Sequence, residues 1–99
     1  MNESQLTRKI LKAIKIHHPD VWVYKTNDRF TSGIPDLIMC IMGRFCAVEL
    51  KSPQIKNSMP NKIQAFVLNN IDRADGATSI CNSWIEVDEF IKSIKKGGD

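Results

Sequence analysis

Apolar residues near the start of the chain recur at helical spacing. Leu6, Ile10, Leu11, Ala13 and Ile14 share one stripe, while Arg8, Lys9, Lys12 and Lys15 occupy much of the rest. Asn2, with Gln5 three residues on, has the form of a capping box, and Pro19 stops this helix. Residues 21–26 (Val-Trp-Val-Tyr-Lys-Thr) are rich in strand formers, and residues 27–35 read as a polar loop. Two apolar runs follow, 37–42 and 45–50, with Gly43-Arg44 between them, the pattern of a β-hairpin. Both faces of this hairpin are apolar, which predicts helices on both sides of the sheet. After a basic loop over 52–59, Pro60 suits the first turn of a second helix whose apolar face is Ile63, Phe66, Val67, Ile71 and Ala74. Asp75-Gly76 ends it, residues 77–81 form a short strand, and Asp88 caps a last helix carrying Phe90, Ile91 and Ile94. The final residues are expected to fray. The predicted order is αβββαβα, with no repeats and no linker.

The hairpin matters because an acid lies at each of its open ends. With a two-residue turn at Gly43-Arg44, Ile38 opposes Glu49 and Asp36 opposes Lys51. Alternate residues share a face, so Asp36, Glu49 and Lys51 project to the same side. A slip of one residue would send Glu49 to the other face. Two neighbouring carboxylates repel unless a cation lies between them, and hard oxygen ligands suit Mg²⁺ or Mn²⁺. Each residue also has a plainer reading. Alone, Asp36 is a turn aspartate after Pro35, and Glu49 with Lys51 is an ion pair at a sheet end. Glu49, however, sits in an otherwise apolar run, where a buried charge needs a partner.

Composition adds limits. At 99 residues the chain is sized for one domain spanning 1–99, and 42% hydrophobic with 25% charged residues fits an ordered globule. No apolar run spans a bilayer and no signal peptide is visible, so the expected location is the cytoplasm in which the chain is made. A net charge of +3 permits nucleic-acid binding where the cations cluster, in 8–15, 25–29, 51–62 and the tail. Three cysteines, Cys40, Cys46 and Cys81, read as free buried thiols; the first two point to opposite faces and cannot bridge. His17-His18 before Pro19 reads as a solvated helix end more readily than as a metal pair.

Gly33-Ile34-Pro35-Asp36 followed by Glu49-Leu50-Lys51 resembles the PD-(D/E)XK nuclease superfamily. The Gly-Ile-Pro-Asp-Leu-Ile form, with a glutamine-bearing helix after it, is most similar to the VRR-NUC branch, in particular the small stand-alone viral and phage type. The resemblance covers roughly residues 1 to 80. It departs at one place: the family commonly has Ser-Pro shortly before the helix glutamine, whereas Ser58-Met59-Pro60 is interrupted and Gln64 comes four residues after the proline.

The resemblance implies a restriction endonuclease-like α/β core, a central mixed sheet flanked by helices. It implies a metal-dependent endonuclease that hydrolyses phosphodiester bonds in DNA, working as a homodimer on branched DNA such as Holliday junctions. Asp36 and Glu49 would hold Mg²⁺ or Mn²⁺, with the Leu50 carbonyl as a further ligand. Lys51 would orient the attacking water and steady charge on the phosphate, and Gln64 matches the helix glutamine. Glu3 stands where related nucleases bring a first-helix glutamate to the metal; equally, it is an acid complementing the helix dipole. The loop over 25–32 has the cations, hydroxyls and amides that suit phosphate contacts. Trp22, Trp84 and Phe90 read as core or interface residues, and Ile85 joins them as a candidate dimer contact. The alternative is a DNA-binding or assembly module on the same scaffold with little activity. Metal-stimulated cleavage separates the two.

Overall fold

The computed structural model describes residues 1–28, 30–52 and 59–97. Its elements are α1 (Glu3–His17), β1 (Trp22–Lys25), β2 (Leu37–Ile41), β3 (Arg44–Leu50), α2 (Lys62–Arg73), β4 (Ala77–Cys81) and α3 (Trp84–Lys95). The αβββαβα order is the one the sequence predicts. The strands form one sheet in the order β1-β2-β3-β4. β1, β2 and β3 pair antiparallel, and β4 joins β3 in parallel after the α2 crossover, so the sheet is mixed. The basic loop expected over 52–59 falls mostly outside the described residues, as do Arg29 and the last two residues of the tail.

The hairpin turn is one residue earlier than the sequence suggests. Met42 and Gly43 both have positive φ, 50° and 82°. Two successive positive φ values make the turn whose twist matches paired strands, and glycine suits its second position. Arg44 is therefore a strand residue opposite Ile41, and its guanidinium donates to the Asp75 and Gly76 carbonyls. Moving the turn by one residue changes every pairing by two, and a change of two leaves each side chain on its expected face. Leu37 pairs with Val48, and extending the register sets Asp36 across from Glu49 rather than Lys51.

The core lies on one face of the sheet. Leu6, Ile10 and Ile14 of α1 and Val87, Ile91 and Ile94 of α3 pack with Leu37, Met39, Ile41, Cys46, Val48 and Leu50. The other face is only partly covered, contrary to a sheet buried on both sides. α2 packs against β4 and leaves Trp22 58% exposed, with Tyr24 and Phe45 also open. Its own predicted apolar face is only half used: Ile63 and Phe66 are exposed, Val67 and Ile71 half-buried, and Leu68 is its buried residue. Cys40 lies on this open face and is exposed, while Cys46 and Cys81 are buried; all three are free.

Two helix starts also differ. Asn61, not Pro60, marks the start of α2, through a capping box with Gln64. Ser83, not Asp88, caps α3, its hydroxyl accepting from Glu86 N–H. Asp88 instead sits inside α3, where it meets His18 Nε2 at 2.7 Å, and Lys95 Nζ meets His18 Nδ1 at 3.0 Å. His18 is thus a buried cap residue tying α1 to α3, not a solvated one, while the exposed His17 stacks on Trp84. Hydrogen bonding to His18 and then to Lys92 holds the Asp88 carboxyl below the usual range.

Candidate metal centre

The site forms where β2 begins and β3 ends. Thr26 fastens the entry to it: its N–H donates to the Asp36 carbonyl at 2.9 Å, and its hydroxyl reaches the Pro35 carbonyl at 2.6 Å. The Asp36 side chain then crosses the hairpin, where Oδ2 accepts the Leu50 N–H at 2.7 Å. A carboxylate anchored by a backbone amide has a fixed orientation.

Glu49 is 3% exposed. Burial, and next the charge of Asp36, raise its carboxyl from an ordinary 4.5 to about 7; Lys51 opposes that shift. Lys51 Nζ lies 3.2 Å from Glu49 Oε2. It also donates to Gln64 Oε1 at 3.0 Å, and the same amide oxygen accepts Asn61 N–H at 2.9 Å. The cap of α2 therefore also positions the lysine. The chain reaches this arrangement through Gly33. Its φ is +82°, and a Cβ there would meet Ile63 Cγ2 at 2.6 Å and the Ile63 carbonyl oxygen at 2.9 Å. Only glycine allows the loop before Asp36 to lie directly against the first turn of α2, one residue from Gln64.

Asp36, Glu49, Leu50, Lys51 and Gln64 thus come together. Glu3 does not join them directly. Its side chain is exposed, and among the described residues no three His, Cys, Asp or Glu side chains cluster closely enough to hold an ion. The start of α1 is nevertheless close to the strand end, since Ser52 Oγ donates to the Met1 carbonyl at 3.2 Å. Beside Asp36 lies a polar hollow of about 360 Å³, lined by Thr26, Asn27, Thr31 and Ser32 among others. Asp28 shapes its rim by accepting the Phe30 and Thr31 N–H groups. The expected polar loop includes Asp28 without assigning it this role, which the Asx-turn propensity of an aspartate at that spacing explains. Of the expected interface residues, Trp22 and Ile85 are exposed, whereas Trp84 and Phe90 pack against the core.

The donor set fits a hard divalent cation. Two carboxylates are held close together, one of them buried, and one lysine ammonium faces the pair.

No family model and no curated protein matches the sequence. Solved structures similar in fold include the following two. One, described as a VRR_NUC domain protein, superimposes with a TM-score of 0.81 at 17% identity, covering 100% of this chain and 92% of that one. The other, a VRR_NUC domain, gives 0.73 at 20% identity, covering 93% and 96%. This is the VRR-NUC fold. Among the described residues, no helix is long and apolar enough to cross a membrane.

Proposed function

We propose that this chain is a metal-dependent DNA endonuclease of the cytoplasm. The observation that carries the reading is Glu49: a buried carboxylate beside a second carboxylate, with Lys51 held against it by Gln64. A purely structural ion pair does not need the second acid, which makes Glu49 harder to ionise. Asp36 and Glu49 would hold Mg²⁺ or Mn²⁺, with the Leu50 carbonyl as a further ligand and Glu3 as a helper from α1. When bound, such a cation supplies positive charge at the scissile phosphate and acidifies water for attack. Lys51 orients that water and offsets charge growing on the phosphate. Gln64 holds the ammonium in place. The hydroxyls and amides around the hollow beside Asp36 suit the flanking phosphates.

The resemblance to the stand-alone type extends the proposal to a homodimer acting on branched DNA such as Holliday junctions. The open apolar sheet face around Trp22 supports a second copy, since large exposed apolar patches mark association surfaces. A panel of labelled linear, flapped, forked and four-way DNA, with Mg²⁺, Mn²⁺ or EDTA, tests the chemistry and the preference together. Cleavage that EDTA abolishes is expected, strongest on the junction. Binding that ignores metal, with no cutting on any substrate, would leave only a DNA-binding module. In the same assay Glu3→Gln should impair cleavage severely; an unchanged rate removes Glu3 from the site.

A further inference from the structure

The outer face of α1 carries a line of cations for which the fold has no use. Leu6, Ile10 and Ile14 bury one side of the helix. On the opposite side Arg8, Lys12 and Lys15 fall within roughly 60° of one another, with Lys9 flanking them. All four are exposed. With Gln5 and Leu11 they frame one open depression along the helix.

Two observations set this face apart from an ordinary solvated one. The first is that the charges are uncompensated. Glu3 is the only acid in the helix, and among the described residues none of the four cations takes part in an ion pair. Arg8 with Lys12, Lys9 with Lys12 and Lys12 with Lys15 are like-charge neighbours at spacings of three or four, and each such pair destabilises the helix. The second is position. The Met1 carbonyl accepts from Ser52 Oγ, which seats the start of α1 beside the residue that follows Lys51. The start of α1 is therefore seated at the end of the sheet where the acids meet, although the helix packs on the opposite face of the sheet, and the cationic line opens about two turns further along and leads away from that end. Between Arg8 and Lys15 it runs roughly 10 Å, the span of about three phosphates on one strand of a duplex.

We infer that this face is a second nucleic-acid contact, a track for the sugar-phosphate backbone of a duplex arm extending beyond the cut. The inference rests on the nucleic-acid reading above. A line of positive charge with no aromatic group among it, and a single amide, Gln5, at its edge, matches a phosphate backbone and no particular base. The track would set where an arm lies relative to Asp36 and Glu49 without touching the reacting atoms.

The test is the salt dependence of binding to a linear DNA duplex several turns long, in EDTA so that no cleavage is needed. Arg8→Gln, Lys9→Gln, Lys12→Gln and Lys15→Gln are combined; glutamine keeps helix propensity and length, and a thermal melt confirms folding. Each lost phosphate contact removes about 0.9 from the slope of log affinity against log salt, so the variant should lose roughly two or more units. A matched pair compares Arg8→Gln/Lys12→Gln with Arg73→Gln/Lys96→Gln, equal in charge but elsewhere on the surface. The first pair should lower the slope and the second should not. An unchanged slope in the fourfold variant, or an equal fall in both pairs, overturns the track. Metal-dependent cleavage by the wild type is scored separately. If the slope falls as expected but the wild type never cuts, the nuclease reading fails and the track stands; if the wild type cuts and the slope is unchanged, the reverse holds.

Discussion

The Asp36 carboxylate accepts the Leu50 amide hydrogen across the hairpin at 2.7 Å, so the first acid is part of the fold as well as of the candidate centre. Two substitutions separate these roles. Asp36→Ala leaves a part-buried N–H without its partner and should cost about 1–3 kcal/mol. Asp36→Asn keeps an acceptor oxygen and should melt close to the wild type. Both should lose cleavage and weaken Mn²⁺ binding by calorimetry. Undiminished cleavage by folded Asp36→Asn protein would remove Asp36 from the site.

Lys51 and Gln64 make a second, separable pair. Lys51 is not a ligand, so Lys51→Met should bind Mn²⁺ nearly as well as the wild type while cleaving at least ~10²-fold more slowly. Gln64→Ala releases the ammonium and opens one half of the α2 capping box. A loss of about 0.5–1 kcal/mol in stability and roughly tenfold in rate is expected. Gln64→Glu retains the acceptor and should recover the cap. A Lys51→Met variant that fails to bind Mn²⁺ would contradict the division of roles.

The pH dependence of the metal-free fold follows from Glu49. Burial, then the charge of Asp36, raises its carboxyl from 4.5 to about 7. The folded chain then holds this proton more tightly than the unfolded chain. The contribution is complete below about pH 4.5 and is lost as pH rises through about 7. It is on the order of 3 kcal/mol. Denaturant melts in EDTA across that window should show the fall, and Glu49→Gln should flatten it. Because a cation displaces the proton, Mn²⁺ affinity should rise over the same range, with proton release measurable by calorimetry in buffers of different ionisation enthalpy. A flat profile for the wild type would mean that Glu49 stays ionised without metal.

Gly33 offers a test remote from any ligand. Gly33→Ala combines a positive φ with a contact to the Ile63 carbonyl oxygen that a flexible side chain cannot relieve. A cost of about 2 kcal/mol is expected, with a slower rate because the loop and α2 no longer meet in register. Wild-type melting and activity together would show that the close approach is not needed.

Side-chain parity makes much of the site legible in the amino-acid sequence. Asp36, Glu49 and Lys51 share a face under either turn position, so their convergence does not depend on where the turn falls. Arg44 reads as a turn residue in the sequence, yet Gly43 suits the second central position and Met42 tolerates the first. The order of elements is legible because each apolar run ends in Gly, Pro or a cap. The start of α3 is set by Ser83, with Glu86 three residues on, rather than by Asp88, which lies inside the helix and is committed to His18. What the sequence withholds is coverage. Alternation shows that a strand has two apolar faces, but whether a helix reaches across both depends on where α2 lands. It lands over the β3–β4 side, leaving Trp22 and Tyr24 stacked on each other in the open. The reach of Glu3 is likewise a matter of tertiary distance, which spacing does not encode.

The Met42–Gly43 turn lies at the far end of the hairpin from the acids, roughly 20 Å of strand away. A side-chain atom added at Gly43 would touch nothing within 4 Å, so the tip is open to solvent and constrained only by the positive φ of its turn. Extra residues at this tip lengthen a free loop, whereas one extra residue between Phe45 and Glu49 would rotate the carboxylate through the sheet. The hairpin thus has a permissive end and an intolerant end. Divergent copies can vary in length at the tip while the strands keep their count, and a fluorophore or fused epitope inserted there reports on the molecule without disturbing its chemistry.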